Sequence, residues 1–239
     1  RPAAVHRPTL ETPTQHRMAG RTVSFPRHAS TGLRGRRFLI VSAPFGPFGM
    51  ALAGALEARG AEVRRMIFNS GDALNWRRSG GIAFKGSAAA WRREVAGIIG
   101  DYTDIVLFGE GGPYNRAVLS LGDATEARVW VLENGYFRPD WVTVERNGVN
   151  ASSGLPRFRD GYPSPAPEAP PIRPVGRILP HHVANISLYH LVQVLGGPMF
   201  PQYNSHYTAS PWRQCVGHAR RYLRLMMRRP ADREVEKIV

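Results

Sequence analysis

One stretch constrains the fold of this chain more than any other, Asp104 to Pro156: DIVLFGEGGPYNRAVLSLGDATEARVWVLENGYFRPDWVTVERNGVNASSGLP. Two apolar runs, Ile105–Phe108 and Val129–Leu132, each end abruptly in glycine and charge, with a helix-length segment from Asn115 to about Leu121 between them. A short β-branched run, a glycine, a helix and a second such run predict a βαβ unit of a parallel sheet. A right-handed crossover makes the two strands neighbours. The loops GEGGPYNR and ENGYFRPDW are therefore expected side by side at the carboxyl edge of the sheet, where ligands of open α/β folds bind.

The preceding sequence repeats the pattern. Arg37–Ala43 (RFLIVSA) predicts a buried strand, broken at Pro44–Gly49 (PFGPFG) and followed by a helix over Met50–Arg59 that Gly60 closes. Glu62–Phe68 (EVRRMIF) predicts a second strand running into the polar turn Asn69–Trp76 (NSGDALNW), and Ser87–Ile99 an amphipathic helix burying Ala88, Trp91, Val95, Ile98 and Ile99. Trp141–Glu145 and Gly148–Asn150 suggest a short hairpin across Arg146–Asn147, forming a flap. The fold class expected is α/β: a Rossmann-like three-layer α/β/α domain with a mainly parallel sheet over residues 37–156. A proline-rich connector follows (157–174), then a helical C-terminal segment (175–239) with helices over Val183–Leu195 and Pro211–Arg229. Residues 1–36 read as a basic leader, disordered or extended, with arginines but no apolar core of a secretory signal; Met18 is a conceivable initiator.

The net charge of +14 comes almost wholly from arginine, since Lys85 and Lys237 are the only lysines among 239 residues. Such a balance favours anionic partners, whether nucleic acid, phosphates or an anionic lipid surface, or reflects an arginine-rich solvated surface. No helix-turn-helix, RNP or zinc pattern is present, so no specific nucleic-acid partner is expected. No apolar run approaches the length of a membrane span. A single cysteine, Cys215, excludes an intrachain disulfide and suits a reducing, cytoplasmic setting. His181, His182, His190, His206 and His218 have neither HExxH spacing nor a neighbouring carboxylate set, so no metal and no cofactor is expected.

Glu110 and Glu133, at the ends of adjacent predicted strands, are the candidate catalytic carboxylates, as base, nucleophile or hydroxyl ligand. Arg116 and Arg138 would offset negative charge on a substrate, or Arg138 would pair with Glu133 and hold the loop's shape. The PFGPFG loop, with Gly46 and Pro47, reads as an anion or sugar seat at a helix N-terminus or as a tight βα turn. Asp72 reads as a substrate ligand or a helix cap, and Trp76 as a sugar-stacking surface or a turn residue. In the last helix Trp212, Val216, Ala219 and Leu223 form an apolar stripe beside Arg213, Arg220, Arg224 and Arg228. That pairing describes either a helix for anionic phospholipid headgroups or a surface helix packed by its tryptophan stripe.

SAPFGPFGMALAGAL, FNSGDALNW, DIVLFGEGGPYNRAV and above all ENGYFRPDWVTVERNGVNASSGLPR resemble the capsule polysaccharide biosynthesis proteins of the KpsS/KpsC type, closest to the KpsS branch. FPQYNSHY, Phe200 to Tyr207, resembles a weaker family motif, and the resemblance runs from about Arg37 to Arg229. It implies one Rossmann-like half, the acceptor side, of a GT-B-like retaining β-Kdo transferase. Such an enzyme transfers Kdo from CMP-Kdo to an anionic, phosphatidylglycerol-type lipid at the cytoplasmic face of the inner membrane. Other capsule assembly proteins are implied partners. On that resemblance Glu133 and Glu110 are catalytic, while Gly46, Pro47, Asn69, Asp72, Trp76, Asn115, Arg116, Asn134, Tyr136 and Arg138 contact substrate.

The chain departs from the family pattern in one pocket. The usual loop GDCRPxH reads GEGGPYN, so an acid, an arginine and a histidine become Glu110, Gly112 and Asn115; the usual EEGY or EDGF reads ENGY, so a second acid becomes Asn134. An amide is neither base nor nucleophile at neutral pH. The family also continues into a CMP-binding half, expected to be missing from this chain. These departures sustain an alternative, a catalytically silent lipid- or partner-binding scaffold of capsule assembly.

Overall fold

The computed structural model describes residues 15–18, 21–24, 32–135, 141–155, 179–205 and 210–227. Two short strands, β1 (Gln15–Met18) and β2 (Arg21–Ser24), pair antiparallel within the basic N-terminal segment. Residues 1–14, 19–20 and 25–31 and the proline-rich connector lie outside the described residues.

A six-stranded sheet forms the body, in the order β5 (Gly81–Ala83), β4 (Glu62–Ile67), β3 (Arg37–Ile40), β6 (Asp104–Phe108), β7 (Arg128–Asn134) and β8 (Val142–Arg146). Every pairing is parallel except β7 with β8. Alternation along each strand sends side chains to two cores. Leu39, Val41, Met66, Ile105, Leu107 and Val131 meet α3 (Ala88–Ile99) and α4 (Pro113–Leu119) through Trp91, Val95, Ile99 and Val118. Phe38, Ile40, Val63, Ile67, Val106 and Leu132 pack on the opposite face with α1 (Phe48–Glu57) through Ala53. This is the three-layer, Rossmann-like α/β arrangement that the sequence predicts. Strand order reverses between β3 and β6, which opens a crevice where their carboxyl ends diverge.

Asp104 ties the sheet together at its amino edge. Its fully buried carboxylate accepts bonds from Trp130 Nε1 (2.8 Å), Thr103 Oγ1 (2.7 Å) and Arg36 Nε (2.8 Å), and pairs with Arg128 (3.2 Å). Burial acts to raise its pKa, but the bonds from Arg36, Trp130 and Thr103 outweigh burial and leave it below the ordinary value.

One local expectation needs correction. The segment from Trp141 to Asn150 does not fold back on itself: Val142–Arg146 pairs with β7, Glu133 opposite Thr143, and Gly148–Asn150 leads instead into a 3-10 turn over Asn150–Ser152. Asn147 and Asn150 both sit at positive φ, which breaks extension there. The edge strand β5 has no counterpart in the sequence reading. It has three residues, exposed at both ends and half-buried in the middle, too short for a periodic signal.

Helix α5 (Leu179–Leu195) returns across the carboxyl edge of the sheet and packs on α2 (Ser70–Asn75). The seam is close: a Cβ on Gly71 would lie 2.6 Å from the Tyr189 ring, and one on Gly196 would lie 2.4 Å from Ser70. Ser70 Oγ donates to the Val192 carbonyl (2.8 Å) and Asn69 Nδ2 to the Tyr189 hydroxyl (2.9 Å). Helix α6 (Pro211–Met227) packs along α5, with His218 stacked on His190. The apolar stripe of α6 does not make that contact; Trp212 and Leu223 are exposed. Among the described residues no helix is long and apolar enough to cross a membrane.

Candidate functional site

The crevice at the β3/β6 switch point is closed by α5 into a cavity of about 560 Å³. Three segments supply its walls. Val41–Phe45 follows β3, Phe108–Gly109 and Gly111–Asn115 follow β6, and Glu133–Asn134 ends β7. The opposite wall comes from Asn69 and Asp72 on one side of the α2–α5 seam and from His182, Ile186, Tyr189, His190 and Gln193 of α5 on the other. Tyr203, Asn204 and Ser205, from the FPQYNSHY segment, complete it.

The two carboxylates singled out from the sequence divide here. Glu133 lines the cavity, with its own chain turned so that Oε1 accepts from Asn134 N (3.2 Å). Glu110 points away from it and clamps the turn after β8: Oε1 accepts from Val149 N (2.5 Å) and Oε2 from the Ser152 hydroxyl (3.2 Å). The strands are adjacent and their ends level, as expected, but the intervening residue of a strand-end loop sets direction, and a buried Val149 amide draws Glu110 outward.

The second cavity carboxylate is Asp72. Its helix is capped reciprocally: Asn69 Oδ1 accepts from Asp72 N (3.0 Å), while Asp72 Oδ2 accepts from Asn69 Nδ2 and Phe68 N (3.1 Å each). Asp72 Oδ1 receives the Tyr189 hydroxyl (3.2 Å) and the buried Arg65 guanidinium (3.4 Å). Burial pushes its pKa above the ordinary carboxylate value, opposed by the charge of Arg65. Asp72 is therefore both a cap and a cavity-lining group. The tyrosine hydroxyl beside it is shifted in the same direction: burial raises Tyr189 well above its ordinary range, and the charge of Asp72 adds to the shift.

Asn115 is buried and pins the loop by donating to the Phe108 (3.1 Å) and Gly109 (3.0 Å) carbonyls. Asn134 is exposed at the cavity rim. Four other candidates do not line the cavity. Arg116 is exposed on α4. Gly46 turns beneath Asn185, whose Nδ2 would be 2.7 Å from a Cβ there, and Pro47 is the N-cap of α1. Trp76 is buried in the core under α1, its indole donating to the Ser79 carbonyl (3.1 Å), so no face is offered to a sugar. Tyr136 and Arg138 lie outside the described residues.

Sequence reasoning did not single out the aromatic part of the site. Tyr114 stacks on Phe68 (4.0 Å) and Tyr203 (5.8 Å, planes 3° apart), and Phe45 packs on Tyr189 (4.5 Å) and His190 (5.4 Å). Burial lowers the pKa of His190, which favours a neutral imidazole beside Gln193 (3.2 Å). The signal for Tyr203 was present in FPQYNSHY; nothing local marks Tyr189, which acquires its role from the seam with α2. The described lining contains no arginine or lysine, and its polar groups are amides, hydroxyls, imidazoles and the two carboxylates. Rings, amides and carboxylates together suit a hydroxylated ligand better than a bare phosphate. Among the described residues no group of three or more His, Cys, Asp or Glu could hold a metal ion.

Residues 103–239 match the family model described as capsule polysaccharide biosynthesis protein. The chain is 29% identical over 210 residues to the capsule polysaccharide export protein KpsS of Escherichia coli, covering 85% of this chain and 53% of that protein. It is 32% identical over 128 residues to the capsule polysaccharide modification protein LipB of Neisseria meningitidis, in serogroups A and B, covering 52% of this chain and 30% of those proteins. The chain thus spans about half the length of KpsS and less of LipB.

Proposed function

The chain belongs to the capsule polysaccharide biosynthesis protein family, and from that premise we propose that it forms the acceptor-side half of a GT-B-like retaining β-Kdo transferase. The donor is CMP-Kdo and the acceptor a phosphatidylglycerol-type lipid at the cytoplasmic face of the inner membrane. The observation that carries this reading is the position of Glu133 at the end of a parallel strand, facing a cavity built for hydroxylated groups. A carboxylate at that edge suits proton abstraction from an acceptor hydroxyl, or stabilisation of positive charge at an anomeric carbon. Asp72, Asn69 and Gln193 supply hydrogen bonds for ligand hydroxyls, and Tyr203 and Tyr114 an aromatic wall. The lack of arginine and lysine in the described lining supports a nucleotide phosphate held by other groups, as a separate donor half would supply.

The test is Glu133→Gln in the full-length protein, assayed for Kdo transfer from CMP-Kdo to the lipid. Transfer is expected to fall on the order of 10²–10⁴-fold, the usual contribution of a general acid or base. Unchanged transfer would remove Glu133 from the chemistry.

A specific observation supports the alternative, a catalytically silent scaffold that binds lipid or assembly partners. Glu110 is already engaged by Val149 and Ser152, and the neighbour of Glu133 is the amide Asn134, so the strand-end loops present one acid to the cavity. Lipid binding by the full-length protein without any transfer would select that reading.

A further inference from the structure

We propose that α6 is a membrane-surface helix that seats this protein on an anionic bilayer. At 3.6 residues per turn, Trp212, Val216, Leu223 and Met227 fall within about 60° of one another around the helix axis. Three of them are strongly exposed, Trp212 at 65%, Leu223 at 55% and Met227 at 74%. The side of α6 that meets α5 is a different one, carrying His218 against His190 with Tyr222 stacked on His218. The apolar stripe is therefore left over after the helix has packed.

Charge beside the stripe identifies its occupant. Arg220, Arg213 and Arg224 occupy roughly the next 60° of the surface, and Arg221 follows. All four are exposed, and among the described residues none pairs with a carboxylate. Pro211–Met227 contains no acidic residue. An apolar stripe flanked by cations on the side away from α5, on a helix without acids, matches the boundary between acyl chains and phosphate headgroups: tryptophan, leucine and methionine enter the boundary while the guanidiniums lie at the phosphates. The helix is about 25 Å long and would lie in the plane of the surface. A chain of net charge +14 adds a long-range attraction to the same surface. This inference stands apart from the transferase reading, because binding to vesicles requires neither donor nor turnover.

The experiment is co-sedimentation of the purified full chain with vesicles of phosphatidylcholine alone or mixed with phosphatidylglycerol. The parent chain is expected to bind the anionic vesicles on the order of tenfold more tightly, with the preference shrinking as salt rises. Two double variants, Trp212→Ser with Leu223→Ser and Arg220→Gln with Arg224→Gln, are each expected to lose binding by about tenfold. Circular dichroism matching the parent would show that each still folds. No affinity of the parent for anionic vesicles overturns the proposal, as does undiminished binding by both folded variants. Self-association, read by sedimentation velocity, that the Trp212/Leu223 pair abolishes in a chain indifferent to vesicles would make the stripe a protein interface instead and also overturn it.

Discussion

Asp104 and Glu110 show how a carboxylate near a strand end can serve structure. Asp104→Ala removes the acceptor shared by Trp130, Thr103, Arg36 and Arg128 and is expected to cost about 2–3 kcal/mol, measured by urea unfolding. Because its folded pKa lies below the unfolded value, the contribution of Asp104 is fully present above the unfolded pKa and is lost as pH falls through the folded one. The parent should therefore lose stability on acidification more steeply than Asp104→Ala does. Glu110→Gln is expected to cost about 1–3 kcal/mol by weakening the hold on Val149 N and Ser152. It should leave any transfer activity within a few fold of the parent, in contrast to Glu133→Gln. A loss as large as that of Glu133→Gln would restore Glu110 to the chemistry. Residue types at the strand ends were legible in the sequence; their directions were not, since a buried amide 39 residues on, at Val149, decides where Glu110 points.

At the scale of elements, the α2–α5 seam turns a helix from the C-terminal segment into a wall of the cavity. NSGDALNW was readable as a capped turn, and Asn69 and Asp72 do cap α2. Its glycine has a second reason: Tyr189 lies where a Cβ of Gly71 would be. Gly71→Ala should force α5 outward or distort α2, at roughly 1–3 kcal/mol. It should also alter the near-ultraviolet dichroism of the tyrosines around the cavity. A variant with parental stability and spectrum would mean that the seam is looser than the structure describes. Helix α6 reverses the usual inference from amphipathicity. Its periodic stripe was legible, but which side meets α5 was not, because ring stacking between His190 and His218 depends on where α5 lies.

At the scale of the whole molecule, the sequence by itself determined the layers. Short apolar runs ending in glycine or a polar turn, alternating with amphipathic helices, admit few arrangements other than a parallel sheet covered on both faces, and those runs correspond to β3, β4, β6 and β7. It also marked the carboxyl edge as the place of the site, because the polar and glycine-rich segments all follow strands. Only the tertiary structure decided which residues share the cavity. Glu133, Asp72, Tyr189 and Tyr203 come together from β7, α2, α5 and the segment after it. Local periodicity specifies which face of an element is apolar, whereas a cavity is made where four elements distant in sequence stop short of one another. The strand order reverses between β3 and β6, and α5 crosses the gap that this leaves. Burial raises the pKa of Asp72 against the charge of Arg65, and a buried amide turns Glu110 away; both are consequences of packing that no short-range pattern encodes.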